Sequence, residues 1–366
     1  MGGRPRLERR QVSRLRDLGI NLGRLPPGPL NAITDVADIG VGHSTLITDE
    51  PRVVRTGVTT VVPRRDDIWT DYAACSWFSF SGNGEMTGLP WIEESGLLGS
   101  SIGITNTHQV GLVRDTMVKY AVDRGVIDGF LLPVVAETYD GWLSDIDAFA
   151  LERAHVLAAL TEISYDQVSE GAVGGGTGMI CHEFKGGIGT SSRVVDLAMH
   201  TYTVGVLVQA NYGSRHDLRL DGIPVGRMLP YDEVPAPWPD TRSDGSIIIV
   251  IATDAPLLSD QCHRLAKRAT VGLGRVGGNG HNGSGDIFLA FATGNHFPAG
   301  HKGPYAIHAL PPDHMDRLFE ATIEATEEAI WNALCAAETM TGYKGRTANA
   351  LPLDRLVDIW QRQELR

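Results

Sequence analysis

The sequence predicts a layered α+β fold, and three observations lead to that class. Segments that alternate apolar, β-branched and turn residues occur in groups, at 30–47 and 53–63, as expected of antiparallel strands. Segments with apolar spacings of three and four, typical of helices, lie before and after such groups and do not form a regular βαβ series. Two uninterrupted apolar segments, 245–254 and 285–294, predict central strands buried on both faces.

The other elements follow from the same patterns. Further strands are predicted in 73–96 (followed there by a glycine turn and a short helix), 98–111, 130–142 and 202–213. Helices are predicted at 113–125, 146–160, 257–270 and 313–341, with a glycine-rich loop at 272–285. In the last helix Ala321, Ala325, Ala329 and Ala333 recur every four residues, which predicts close packing against a neighbouring element.

Composition narrows the class of protein. The chain has 366 residues, 42% hydrophobic and 21% charged, enough apolar sequence to bury a large core. Its net charge of −12, with one basic stretch at 4–16 that we interpret as a solvated arm or first helix, argues against a nucleic-acid partner. The sequence has no apolar run long enough for a membrane span and no signal-peptide pattern, so we expect a soluble cytoplasmic protein.

Several motifs resemble cofactor sites but lack the flanking elements or the further residues that such sites require. The segment "GLGRVG" at 272–277 matches GxGxxG, but a predicted helix precedes it and "GNGHNGSGD" follows it. The segment "GAVGGGTGM" at 171–179 lacks the GK[ST] of a phosphate loop, and His296 and His301 lie in a Pro/Gly loop. Four widely spaced cysteines predict neither a disulfide scaffold nor a zinc site. We therefore expect no metal and no organic cofactor.

The two apolar segments gather polar residues at their beginnings. If the strands lie side by side, Ser246 at the start of one comes close to Ser284 and Asp286 at the start of the other. Serines at strand edges are also common as plain turn residues, and spacing alone does not separate the two interpretations.

Self-cleavage offers a chemical use for Ser246 that needs no histidine. Its hydroxyl would attack the carbonyl of Gly245, and water would cleave the resulting ester. The new α-amine has a reference pKa of about 7.7–8.0 and can act as the base for its own hydroxyl. The proline-rich segment 221–245 would then become a loose tail.

The sequence resembles the β-aminopeptidases and L-aminopeptidase/D-amidase/D-esterases of the DmpA/BapA type, which are self-cleaving N-terminal-serine hydrolases. The resemblance covers nearly the whole chain. It is carried together by "SGNGEMTGLPWIEESGLL" (81–98), "ITNTHQVGLVRD" (104–115), "PVVAETYDGWL" (133–143), "GAVGGGTGMICHEFKGGIGTSSR" (171–193), "GVLVQANYG" (205–213), "DGSIIIVIATDAPL" (244–257), "NGSGDIFLAFATGN" (282–295) and "NALCAAETMTGYKGRTANALP" (332–352).

The resemblance implies roles for individual residues. Ser246 would be the nucleophile, and cleavage after Gly245 would divide one catalytic domain, 1–366, into an α chain of 1–245 and a β chain of 246–366. Ser284 and Asp286 would orient the amine and relay protons, with Asp286 where some members carry Glu.

Five further residues would contact the substrate or the reacting centre. Tyr139 would hydrogen-bond the reacting centre, and Asn211 would donate into an oxyanion hole. Glu137 would hold the free ammonium of the substrate. Gly175 and Gly176, in the loop 174–178, would line the pocket with backbone.

The family's fold is a four-layer αββα sandwich, similar to N-terminal-nucleophile hydrolases but with different connectivity, and its members assemble as homotetramers of αβ units. The implied function is the release of N-terminal residues (β-alanyl or small L- or D-amino acids) from short peptides, amides and esters. Two alternatives stay open: an acyl transferase similar to ornithine acetyltransferase, whose nucleophile is a threonine, and a non-catalytic nucleotide-binding protein built around 272–277.

Overall fold

The structure is a computed structural model, and it describes residues 13–65, 68–127, 129–197, 200–238 and 245–364. Its α-helices are α1 Leu89–Ser95, α2 Val110–Asp123, α3 Arg153–Thr161, α4 Ser259–Val276, α5 Met315–Cys335 and α6 Leu353–Glu364. No helix within these described ranges is both long enough and apolar enough to cross a membrane.

Two large sheets form the centre of the molecule. The first has five strands in the order β6-β5-β2-β1-β7, which are Val134–Thr138, Ile102–Asn106, Val54–Val62, Gly40–Thr48 and Ile163–Ser164. The second has six strands in the order β10-β11-β12-β13-β3-β4, which are Gly187–Leu197, His200–Asn211, Ser246–Thr253, Gly285–Pro298, Asp71–Gly82 and Leu97–Leu98.

Two short hairpins complete the strands. They are β8 Ile180–Cys181 with β9 Phe184–Lys185, and β14 Met340–Thr341 with β15 Thr347–Ala348.

The sheets and helices stack as four layers. One hydrophobic cluster joins α4 and α5 to one face of the six-stranded sheet, through alternate residues such as Ile247, Ile249 and Phe288. A second cluster joins the opposite face of that sheet to the five-stranded sheet and to α2 and α3, and includes Ile248 and Val250. This α/β/β/α arrangement confirms the predicted four-layer α+β sandwich.

The two uninterrupted apolar segments are neighbouring central strands, as predicted. All eight residues of β12 are buried. Strand β12 pairs in parallel with β13, which places Ser246 opposite Gly285, and antiparallel with β11, which places Ser246 opposite Asn211. The register therefore places the end of β11 and the starts of β12 and β13 side by side at one edge of the sheet.

The predicted alanine face also lies in a tight interface. Ala321, Ala325, Ala329 and Ala333 are all fully buried. Helix α5 packs there against β10, so closely that a Cβ added at Gly189 would lie 2.6 Å from the backbone nitrogen of Ala333. Small residues on both elements permit this approach.

Several element boundaries differ from the predictions, and the helix predicted at 146–160 is α-helical only from Arg153. The predicted glycine-rich loop 272–285 is wrong at its start, because α4 continues to Val276. Helix α5 ends at Cys335, before the predicted 341, because residues 340–341 pair as β14 with β15. Helix α6, at 353–364, was not predicted.

Helix α4 contains Gly272 because it crosses α5 at that point. A Cβ at Gly272 would lie 2.7 Å from the carbonyl oxygen of Ile323 and 2.7 Å from Cβ of Thr326. The glycine allows the two helices to approach, and this benefit outweighs its low helix propensity. The GxGxxG pattern thus reflects helix packing and not a phosphate-binding turn.

Candidate active site

Ser246 lies at the first position of β12, where three strands meet. Its side chain is 6% exposed. The backbone N–H of Gly285, on β13, donates both to Oγ of Ser246 at 3.2 Å and to the carbonyl oxygen of Gly245 at 3.1 Å. The hydroxyl and the carbonyl of the preceding peptide bond therefore share one donor.

Gly245 stands where the chain passes close to β11. A Cβ at this position would lie 2.7 Å from Cα of Tyr212 and closer still to the carbonyl oxygen of Asn211. Only glycine fits this approach without displacing backbone. The end of the proline-rich segment, residues 239–244, lies outside the described residues.

Ser284 and Asp286 lie at the start of β13, beside Ser246, as the sequence predicts. The Ser284 hydroxyl donates to Oδ1 of Asp286 at 2.6 Å, and both residues are buried. Burial raises the pKa of Asp286 to about 6, although the hydrogen bonds from Ser284 and from the backbone of Ile247 oppose the shift. At neutral pH the carboxylate is mostly ionised and able to accept a proton or hold a cation.

Asn211 is oriented by two backbone groups. Its Oδ1 accepts from the N–H of Ile180 at 2.8 Å, and its Nδ2 donates to the carbonyl oxygen of Tyr139 at 3.0 Å. Because an N–H only donates and a carbonyl only accepts, these partners determine which end of the amide is nitrogen. One Nδ2 hydrogen is donated to the carbonyl oxygen of Tyr139. A hydrogen bond to an oxyanion would require the second Nδ2 hydrogen.

Tyr139 reaches the site through its backbone. Its carbonyl contacts Asn211, whereas its side chain is 51% exposed. The structure therefore brings Tyr139 next to the predicted oxyanion donor, and the predicted role of its hydroxyl stays a prediction.

Glu137 lies buried at the end of β6, close to the β13 edge. Its Oε1 accepts from the backbone N–H of Glu85 at 3.0 Å, and its Oε2 accepts from the Thr107 hydroxyl. Gly84 lies between Glu137 and β13. A Cβ at Gly84 would lie 3.2 Å from Oε1 of Glu137 and 3.1 Å from Cα of Gly285.

The environment of Glu137 sets its charge state. Burial raises the pKa of Glu137, and the hydrogen bonds from Thr107 and Glu85 oppose the increase. A cation placed beside this carboxylate would favour its ionised form. The structure thus places a buried carboxyl group across Gly84 from Gly285, the strand partner of Ser246, and its predicted contact with the substrate ammonium stays a prediction.

Gly175 and Gly176 form a 3₁₀ turn with Gly174 between the two sheets. The Gly175 N–H donates to the Thr59 hydroxyl, and a Cβ at Gly176 would lie 2.5 Å from the nitrogen of Ile188. Packing between sheets accounts for these glycines, and their predicted contact with substrate stays a prediction.

Two contributors to the site were missed at the sequence level. The Gly285 N–H and the Glu85 N–H are backbone donors, and a backbone group leaves no residue-type signal in a sequence. A weak signal did exist in the glycines at 84 and 285, which allow close approach. Within the described ranges, no group of three or more His, Cys, Asp or Glu side chains is placed to hold a metal ion.

Comparison with known proteins identifies the family. The model of peptidase family S58 matches residues 31–348. The chain belongs to peptidase family S58. A β-peptidyl aminopeptidase BapA of Sphingosinicella microcystinivorans is 46% identical over 360 residues, covering 93% of this chain and 89% of that relative.

Solved structures of this S58 peptidase's relatives agree with the fold. A Burkholderia sp. β-aminopeptidase has 47% identity and a TM-score of 0.90, covering 96% of this chain and 99% of that one. The L-aminopeptidase D-Ala-esterase/amidase of Ochrobactrum anthropi, described as a prototype serine aminopeptidase with a variant of the Ntn hydrolase fold, has 40% identity and a TM-score of 0.88, with the same coverage.

The comparisons confirm the predicted family, the variant Ntn-type fold and an aminopeptidase function. They favour a peptidase over the acyl-transferase alternative. The nucleotide-binding alternative is wrong in its structural premise, because residues 272–276 are helical and Gly272 packs against α5.

Proposed function

We propose that this S58 aminopeptidase matures by cutting its own Gly245–Ser246 bond and then uses Ser246 as an N-terminal nucleophile. One observation supports this most directly: the Gly285 N–H contacts both the Ser246 hydroxyl and the Gly245 carbonyl oxygen. A donor on a carbonyl oxygen stabilises negative charge that develops there during attack.

Self-cleavage would proceed by an N-to-O acyl shift. Oγ of Ser246 loses its proton and attacks the Gly245 carbonyl carbon, and the Gly285 N–H stabilises the oxyanion. The C–N bond then breaks, the Ser246 nitrogen takes up a proton, and an ester remains. Water hydrolyses that ester to a Gly245 carboxylate and a free Ser246 amine and hydroxyl.

The mature enzyme would reuse the same groups on a substrate. The Ser246 amine accepts the Oγ proton, and Oγ attacks the substrate carbonyl. Asn211 and the Gly285 N–H stabilise the oxyanion, worth a few kcal/mol in comparable sites. The ionised Asp286 and the Ser284 hydroxyl orient the Ser246 amine. The protonated Ser246 amine returns this proton to the leaving amine, or to the alcohol of an ester substrate, as the C–N or C–O bond breaks, and water hydrolyses the acyl ester that remains.

The buried carboxylate of Glu137 indicates which class of substrate the site would bind. A buried carboxylate near the nucleophile suits a charge-assisted hydrogen bond to a free ammonium. We therefore propose short peptides, amides and esters with an unblocked N-terminus, β-alanyl or small L- or D-α-aminoacyl. One methylene in the acyl group changes discrimination by only about 1–3 kcal/mol.

We further propose that the chain forms a single catalytic domain, 1–366, that acts in the cytoplasm as a homotetramer of αβ units. The family resemblance supports the single domain and the assembly, and size-exclusion chromatography with light scattering tests the assembly.

Intact mass and N-terminal sequencing test the maturation step. We expect two fragments, 1–245 and 246–366, the second beginning Ser-Ile-Ile-Ile. Ser246→Ala should leave one uncut and inactive chain, whereas Ser259→Ala, a serine at the start of α4, should be processed normally. Processing of Ser246→Ala would falsify the mechanism.

Substrate panels test the reaction. Hydrolysis of β-alanyl, L-alanyl and D-alanyl p-nitroanilides should be lost when the substrate amine is acetylated. Glu137→Gln should raise KM for the free-amine substrates, whereas Glu94→Gln in α1 should not. Transfer of an acetyl group from N-acetylornithine to glutamate would instead support the acyl-transferase alternative.

A further inference from the structure

Lys185, at the end of β9, is a fully buried cation that the mechanism above does not use. Its Nζ donates to three backbone carbonyls, those of Gly186 at 2.7 Å, Met179 at 2.8 Å and Gly176 at 3.4 Å. Among the described residues, no carboxylate lies within ion-pairing distance of this nitrogen.

Burying such a group is costly. An ammonium taken out of water without a carboxylate partner is destabilising unless dipoles surround it. Burial lowers the pKa of Lys185 to about 7, and the neighbouring Cys181 opposes the shift. Methionine or leucine would fill this space at a lower cost in folding free energy. The hydrogen bonds that Nζ makes therefore point to a functional reason for lysine at this position.

The carbonyl of Met179 leads directly to the active site. It belongs to the same peptide unit as the Ile180 N–H, and it accepts from both Lys185 and the Gly186 N–H. The Ile180 N–H in turn donates to Oδ1 of Asn211. A donor bound to the oxygen of an amide makes its N–H a stronger donor, since hydrogen bonds in a chain polarise one another.

We propose that Lys185 is a positioning residue for the oxyanion donor: through the Met179–Ile180 peptide, it holds the Asn211 amide with Nδ2 directed toward Ser246. The proposal rests on the proposed oxyanion role of Asn211. Because Lys185 touches no reacting atom, its removal changes the orientation of Asn211 and leaves substrate binding intact.

The test is a double-mutant cycle on the purified, matured enzyme with β-alanyl p-nitroanilide. Lys185→Met keeps the side-chain length and removes the donor, and activity is expressed per mole of the fragment beginning at Ser246. We expect kcat to fall about 10- to 100-fold with KM little changed, less than the about 10²–10³-fold loss for removing a donor outright. In an Asn211→Ala background, Lys185→Met should have almost no further effect on kcat.

A matched control separates positioning from stability. Arg64 is another buried cation that donates to a backbone carbonyl, that of Asn295, near the far end of β13. Arg64→Met should lower the melting temperature and leave kcat unchanged. If Lys185→Met does not fold, Lys185→Gln, which keeps one neutral donor, takes its place and should show a smaller loss of kcat.

Each outcome is decisive. Wild-type kcat in a folded Lys185 variant, or losses that multiply with Asn211→Ala, would overturn the proposal and leave the oxyanion role of Asn211 standing. Wild-type kcat in Asn211→Ala would instead overturn that oxyanion role, and the inference for Lys185 with it.

Discussion

At Gly245 the backbone passes so close to β11 that a single methyl group would collide with it. The nearest atoms are the carbonyl oxygen of Asn211 and Cα of Tyr212, which are backbone and cannot rotate away. The Gly245 carbonyl oxygen in turn accepts from the Gly285 N–H at 3.1 Å. Residue size here therefore controls the position of the bond proposed to be cut.

Replacing Gly245 should slow maturation more than it harms the fold. In Gly245→Ala the added Cβ displaces the carbonyl from its donor, so we expect self-cleavage to slow by at least about 10-fold, equivalent to 1.4 kcal/mol. Gly111→Ala is the control, because a Cβ there meets no atom within 4 Å. Gel electrophoresis over time measures the uncut fraction, and equal cleavage rates would contradict the prediction.

Asp286 should add a second acidic limb to the pH profile, below the one set by protonation of the Ser246 amine. Burial raises its pKa to about 6, so the carboxylate is ionised above this pH and protonated below it. If the ionised form orients the Ser246 amine, kcat/KM falls more steeply as the pH decreases through about 6. Asp286→Asn should remove most activity at every pH, and a wild-type profile that does not steepen between pH 7 and pH 5 would count against this role.

At the scale of elements, the spacing of helices on the six-stranded sheet depends on small residues. Gly272 and Gly274 lie two positions apart on α4, one against α5 and the other exposed. Sequence patterns alone placed both in a loop, because glycine has low helix propensity and the pattern matched a nucleotide motif. Packing against α5 reversed that preference.

These two glycines form a matched pair. Gly272→Ala inserts a Cβ 2.7 Å from Ile323 O and Thr326 Cβ, and overpacking of this kind costs about 1–3 kcal/mol. Gly274→Ala meets no atom within 4 Å and should stabilise the helix by up to about 1 kcal/mol. The melting temperature should therefore fall in Gly272→Ala and rise in Gly274→Ala. If both variants shift it in the same direction, the interface between α4 and α5 relaxes around the added methyl group.

At the scale of the whole molecule, a buried ion network ties three distant parts of the chain together. The Arg193 guanidinium on β10 bonds Glu324 and Glu328 of α5 at 3.0 and 2.7 Å, and also the carbonyl of Leu22. Arg16 binds Glu328 from the N-terminal segment. The network therefore joins an outer helix, the sheet and the first described residues.

Breaking this network should be costly. Arg193→Met leaves the buried Glu324 without its guanidinium and Glu328 with Arg16 alone, and breaking a buried pair in this way costs about 3–5 kcal/mol. Arg24→Met, which removes a surface pair with Glu320, should cost under about 1 kcal/mol. Denaturant midpoints of the two variants measure the difference, and similar midpoints would argue against the network as a stabilising element.

The network also has a defined pH dependence. Burial favours a higher pKa for Glu328, but Arg16 and Arg193 outweigh it, so its pKa lies below the ordinary 4.5. The contribution of Glu328 to stability is therefore present above about pH 4.5 and is lost as the pH falls through the lower pKa of the folded state. This loss should be smaller in Arg193→Met, where Arg16 is the cation that remains on Glu328.

The sequence by itself determined the fold class, the central strands β12 and β13, and the proximity of Ser246 to Ser284 and Asp286. Apolar runs and small-residue spacings reflect local burial, and residues at the starts of two neighbouring strands, such as Ser246 and Asp286, must lie together once the strands pair. Glu137 and Asn211 rested on the resemblance to a family, since neither position has a pattern of its own.

Only the tertiary structure decided the rest. The Gly285 donor, the orientation of Asn211 by Ile180 and Tyr139, and the connection to Lys185 join backbone groups that are distant in the chain. Every residue carries the same backbone N–H and C=O, so no residue type marks which of them will meet. Packing determines that, and packing is a property of the folded chain as a whole.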